Sequence, residues 1–138
     1  MTGTAVVDSV VPEAYLGKLE AALPLFEGVG TVLATAKFMI GQVVRHRIYP
    51  FRGVVFDIDP EFDNTEEWWE RIPAEHRPRK DQPFYHLLAE NETSYYVAYV
   101  SEQNLLPDET GDPVDHPEVE RIFGTFRGTQ YDLASPLL

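Results

Sequence analysis

Residues 37–60 read KFMIGQVVRHRIYPFRGVVFDIDP. Two β-branched runs, Val43–Val44 and Val54–Val55–Phe56, flank a turn rich in Tyr49, Pro50, Phe51 and Gly53. Few folds tolerate that pattern. β-Branched and aromatic side chains favour a pleated strand, and proline with glycine between two such runs reverses the chain. The stretch therefore predicts an antiparallel pair, Gln42–Arg47 and Arg52–Asp59. Gly41 suits a tight turn leading into the first strand. Pro60 closes the second, because proline ends a strand but does not sit inside a central one. Alternation along the first strand places Val44, His46 and Ile48 on one face and Val43, Arg45 and Arg47 on the other.

A second pair follows. FYHLLAE (Phe84–Glu90) and SYYVAYV (Ser94–Val100) form a hairpin about Asn91–Thr93. Tyr95, Val97 and Tyr99 share one face, and Tyr96, Ala98 and Val100 the other. Both faces are apolar, which predicts a mainly β fold whose strands curl into a small antiparallel barrel with no wet side. Between the pairs lies a long connection, residues 62–82. Asn64 with Glu67 fits a capping box for a short helix over about Thr65–Arg71, which displays Trp68 and Trp69 side by side. The rest of the connection is proline-rich and locally basic through Arg77, Arg79 and Lys80. A loop this long in a small domain is functional or flexible. Beyond the hairpin, Ser101–Leu106 leaves the sheet, and Pro107–Pro117 is an acidic loop. Pro117–Phe123 forms a helical turn or two, and Thr129–Leu133 adds an edge strand. Residues 1–36 read as a separate extension with a short amphipathic helix (Tyr15, Leu16, Leu19, Leu23) ended by Pro24. That helix is either a docking or homo-oligomer contact or a loosely attached extension. Residues 37–133 form the domain, and residues 134–138 a tail.

Charge and composition narrow the function. The chain of 138 residues is 43% hydrophobic and 12% aromatic, as expected of one globular domain. It has no cysteine, which removes disulfides, thiol catalysis and cysteine-ligated zinc. Without a signal-like N-terminus, the simplest location is cytoplasmic. The net charge of −12 disfavours indiscriminate binding to nucleic acid. Against it, the stretch from Lys37 to Arg52 carries Lys37, Arg45, Arg47 and Arg52 together with His46, and no carboxylate precedes Asp57. These cations either contact phosphates, with an arginine fork able to read guanine, or pair with the surplus carboxylates in a surface network. Trp68 and Trp69 offer either a protein-binding hot spot beside Phe62 or an anchor for the loop. Catalytic signatures are thin. His46, His76, His86 and His116 are dispersed, and no phosphate-binding or nucleophile-elbow motif occurs. Asp57 and Asp59 form a DxD at a strand end, which either binds a cation weakly, as a metal-assisted hydrolase requires, or shapes the turn into Pro60. No enzyme, cofactor or metal is expected.

The run from Lys37 to Phe62 resembles the opening of the hemimethylated-DNA-binding, YccV-like family of heat-shock proteins, the HspQ family, whose signature reads roughly KF-x-IGQ-x-VRH…GVV-x-DIDP. QPFYHLLAE and YVSEQNL are similar to two later family blocks, in the same order. The resemblance covers about Lys37 to Leu106, with a similar tail to about Leu133, and leaves residues 1–36 outside the family pattern. It implies a small, strongly bent SH3-like barrel without catalysis. It implies two activities: binding of hemimethylated DNA, and a stress-linked role in proteolysis as substrate and specificity-enhancing factor of the Lon protease. That second role touches denatured proteins and the replication initiator DnaA. Val44, Arg45, His46, Gly53 and Asp57–Pro60 fall in the signature. The charge pattern nominates Arg45, Arg47 and Arg52, with His46, for DNA contact, and Trp68 and Trp69 for a protein partner. The alternative is a protease adaptor that only binds protein and touches DNA weakly and without specificity.

Overall fold

The computed structural model describes residues 36–134, so the expected N-terminal helix lies outside the described residues. Seven strands and two short helices follow in order. Strand β1 (Val43–His46) pairs antiparallel with β2 (Arg52–Asp59), β2 with β3 (Phe84–Glu90), and β3 with β4 (Tyr95–Ser101). These are the strands that the sequence predicts, displaced by at most a residue at their ends.

Two strands were not foreseen. Residues 101–106 do not leave the sheet. A 3-10 turn at Glu102–Asn104 reverses the chain, and β5 (Leu105–Pro107) returns alongside β1, with His46 opposite Leu105 and Val44 opposite Pro107. After α2 (Val119–Ile122), β6 (Phe123–Phe126) pairs with β7 (Tyr131–Leu133) in a separate two-stranded ribbon. The terminal strand therefore ladders with β6, while the backbone of Thr129 and Tyr131 also bonds that of Val43 and Gly41 at the start of β1. The main sheet runs β4-β3-β2-β1-β5. The domain is thus mainly β and antiparallel, as expected, and no ladder between β4 and β5 closes the sheet into a barrel among the described residues. A bridge between Gln42 and Gln130 attaches the ribbon.

The expectation of two apolar faces explains how the sheet is covered. One face carries Val43, Val54, Leu88 and Val97, and Trp68, Ile72, Ile122 and Phe123 from the long loop, α2 and the ribbon lie over it. The opposite face carries Val44, Val55, Leu87 and Val100, and is closed by Phe38, Phe51 and Leu105. Gly41 makes the ribbon's close approach feasible. Its φ is +96° and a Cβ there would lie 2.5 Å from the Tyr131 carbonyl oxygen.

β2 carries a bulge. Val55 pairs with Leu87 and Asp57 with His86, so Phe56 and Asp57 together oppose one residue of β3. Strict alternation would put Asp57 and Asp59 on the Val55 face. The bulge instead sends Ile58 to that face and returns the two aspartates to the side of Phe56 and His86.

Candidate nucleic-acid interface

The β1–β2 turn is built around His46. The ring is buried, and its Nδ1 accepts hydrogen bonds from the Ile48 and Tyr49 amides, both at 3.0 Å. Tyr49 and Phe51 pack on it with centroids 4.9 and 5.1 Å away. His46 is thus the pillar that shapes the turn. Because the strand ends at His46, Ile48 does not continue the inward face and is 60% exposed.

The three nominated arginines separate. Arg52 lies across the ladder from both Arg45 and Glu90. Its guanidinium bonds Glu90 at 2.5 Å, grips Asp108 through two nitrogens at 3.0 and 3.3 Å, and donates to the carbonyls of Asp112 and Pro113. Burial opposes its charge, but Asp108 and then Glu90 outweigh it and raise its pKa. Burial likewise pushes against ionised Asp108, yet the bonds from Arg52 and Thr110 hold that carboxyl below its usual range. Arg52 therefore follows the ion-pair alternative and fastens the acidic loop to the sheet. Arg45 is the single exposed position of β1. Arg47 is also exposed, and it donates to the Gln103 carbonyl and to Asn104 Oδ1, both at 3.1 Å. Both acceptors are neutral, so its positive charge is oriented without being cancelled.

The long loop brings further cations to this edge. α1 (Glu66–Glu70) starts at Thr65, whose Oγ1 accepts from the Trp68 amide at 3.0 Å. Asn64, the expected cap, lies one residue too early and bonds the Thr65 amide instead. The two tryptophans diverge. Trp68 is buried edge-on against Tyr99, with centroids 5.3 Å apart. Trp69 is half-buried, donates Nε1–H to the Pro78 carbonyl, and lies under the Arg77 and Lys80 cations at 5.0 and 4.3 Å. Arg77 also donates to the Ile72 and Glu70 carbonyls at 2.8 Å, tying off the C-terminal end of the helix. Gln103 joins loop to turn. Its Oε1 accepts from Gln82 at 2.6 Å while its carbonyl holds Arg47. The result is a pocket of about 130 Å³ at whose wall Arg47, Ile48 and Tyr49 of the turn meet Glu75, His76 and Arg77 of the loop. His76 and Arg77 were not nominated from the sequence, although the basic run at Arg77, Arg79 and Lys80 was the signal that could have found them.

One group of metal-capable side chains also forms among the described residues, at Asp57, Asp59 and His86. His86 is fully buried and its Nε2 lies 2.9 Å from Asp59 Oδ2. Burial lowers its pKa to about 3, so the ring is neutral at physiological pH.

The family model for hemimethylated DNA-binding proteins of the YccV-like type matches residues 36–130. The chain belongs to this family. The match begins just before Lys37 and runs through every strand of the main sheet, so the YccV-like unit includes the turn, the long loop and the acidic loop that Arg52 secures. Among curated proteins, the YccV-like chain is similar to F-box only protein 21. The mouse protein is 33% identical over 96 residues, covering 68% of this chain and 15% of that protein. The Pongo abelii and human proteins are each 32% identical over the same length and shares. The chain thus spans about 15% of the length of these relatives. No solved structure matches the chain. No helix among the described residues is long and apolar enough to cross a membrane.

Proposed function

We propose that this YccV-like protein is a non-catalytic regulatory module that binds hemimethylated DNA along the edge formed by the β1–β2 turn and the long loop. Arg45 and Arg47 are the phosphate contacts, His76 and Arg77 extend them, and His46 and Arg52 hold the scaffold. The observation that carries this reading is that Arg47 and Arg77 meet at one pocket, where their guanidiniums bond neutral acceptors and Glu75 is the one carboxylate at the wall. Two arginines positioned by neutral acceptors outnumber that carboxylate and suit a phosphate backbone. The net charge of −12 sets the strength: binding is modest, and with roughly three phosphate contacts it falls about 40-fold between 50 and 200 mM salt.

The test is fluorescence anisotropy on matched hemimethylated, fully methylated and unmethylated duplexes at two salt concentrations. Wild-type protein is expected to prefer the hemimethylated duplex. Arg45→Ala with Arg47→Ala is expected to weaken binding to all three and to reduce the salt slope by roughly two. Retained affinity with an unchanged slope would remove this edge from the interface.

The family's proteolytic role supplies a second reading, in which the protein promotes Lon-linked degradation of denatured proteins and DnaA as an adaptor. Trp69 favours it, since a half-buried indole flanked by Arg77 and Lys80 is built like an interface anchor. Trp69→Ala is expected to reduce stimulation of Lon in a degradation assay on a denatured client, with the fold intact. Undiminished stimulation would exclude Trp69.

A further inference from the structure

The bulge in β2 has brought two carboxylates and an imidazole to one place, on the face opposite Val55 and away from the arginine edge. Asp57 is the cross-strand partner of His86, and Asp59 is two residues further along the same face. One ligand atom from each residue lies within 4.8 Å of the other two. Donors on a divalent ion stand about 2.0–2.3 Å from the metal and hence about 3–4.6 Å from one another. The 2.9 Å between His86 Nε2 and Asp59 Oδ2 is a hydrogen-bond distance, and a small parting of the two atoms reaches the separation of adjacent ligands. We propose that Asp57, Asp59 and His86 form a binding site for a divalent transition-metal ion.

The donor set selects the ion. One imidazole nitrogen with two carboxylate oxygens suits Zn²⁺, Co²⁺, Mn²⁺ or Fe²⁺, whereas Mg²⁺ and Ca²⁺ are served by oxygen alone. Two carboxylates balance the two positive charges, which permits burial. The ion takes the place of the proton between Nε2 and Oδ2, leaving the ring proton on Nδ1. All three ligands stand on β2 and β3, two strands paired on both sides within the sheet, so little ordering remains to be done on binding. An outer shell is present too. The Tyr99 hydroxyl donates to Asp59 Oδ2 at 3.1 Å and itself accepts from the Asp63 amide at 2.7 Å. The Ile58 amide orients Asp57 through Oδ1 at 2.9 Å. Hydrogen bonds of this kind aim first ligands and strengthen them. The DxD was visible in the sequence, but its third member was not, because His86 joins it across the ladder and only through the bulge.

The full chain, stripped with a chelator, is titrated with Co²⁺ followed by visible absorbance, and with Zn²⁺ and Mg²⁺ followed by thermal unfolding. One equivalent of Co²⁺ is expected to bind with ligand-field bands, Zn²⁺ to raise the unfolding midpoint, and Mg²⁺ to leave it unchanged. Asp57→Asn changes the least buried ligand. It is expected to weaken Co²⁺ binding by about 100-fold or more while keeping the metal-free midpoint. A second measurement requires no substitution: Mn²⁺ should broaden the His86 and Tyr99 ring resonances before those of His76 or His116. Absence of saturable binding would overturn the proposal. Undiminished binding in Asp57→Asn, or broadening centred on His76, would do so as well, by placing the ion elsewhere.

Discussion

Arg52 shows how far one side chain's role can diverge from that of its sequence neighbours. It shares with Arg45 and Arg47 a charge and a turn, yet it alone faces two carboxylates. The pairing is invisible in the sequence because Glu90 and Asp108 lie 38 and 56 residues away, and local charge counting has no access to that distance. Arg52→Ala leaves a nearly buried Asp108 unmatched and should lower stability by about 2 kcal/mol, seen as a reduced denaturation midpoint. It should affect DNA binding less than Arg45→Ala does. Gly53 is constrained as tightly by space. A Cβ there would stand 2.6 Å from the Leu88 carbonyl oxygen and 3.0 Å from Ala89 Cα, both backbone atoms of β3. Gly53→Ala should therefore destabilise by about 1–3 kcal/mol, and a chemical-denaturation curve checks it.

At the scale of elements, the strands were legible and their exceptions were not. Alternation and turn residues located β1 to β4 because each depends on side chains within a few positions. β5 escaped because Leu105–Pro107 is too short to carry a period and is a strand only by virtue of β1 beside it. The bulge escaped for a similar reason, since no residue type demands it. The long loop was read correctly as a helical turn with two tryptophans, but not which indole turns inward. α1 has five residues, too few to persist alone, so it stands on its cap and on Trp68. Thr65→Ala should cost about 1 kcal/mol. Trp68→Ala, which empties the space against Tyr99 and Phe62, should cost about 3–5 kcal/mol. Trp69→Ala should cost much less, and thermal melts of the three variants would rank them. Of the candidate interface, Arg45 and Arg47 were legible from charge, while His76 and Arg77 join it only because Gln103 ties the loop to the turn.

For the molecule as a whole, buried imidazoles set the response to acid. Burial depresses the pKa of His86 to about 3 and also lowers that of His116. Below the ordinary imidazole value of 6.5, the unfolded chain takes up protons that these rings refuse when folded, so stability must fall as pH drops. Asp108 adds to the loss further down, since its depressed pKa contributes stability above 3.8 that disappears as pH falls below it. Denaturant midpoints measured from pH 7.5 to 4.5 should decline steadily from about pH 6.5. A flat profile would mean that the rings are not held neutral. The strand order has a consequence for biogenesis. β1 receives its second neighbour from residues roughly sixty positions later. A chain emerging from the ribosome can assemble β1 to β4 while one side of β1 still offers bare amides and carbonyls to any passing strand. Nascent chains of this protein therefore traverse an adhesive interval that ends only when Leu105 emerges, and a chain stopped at Ser101 should sediment as aggregates where the 138-residue chain does not.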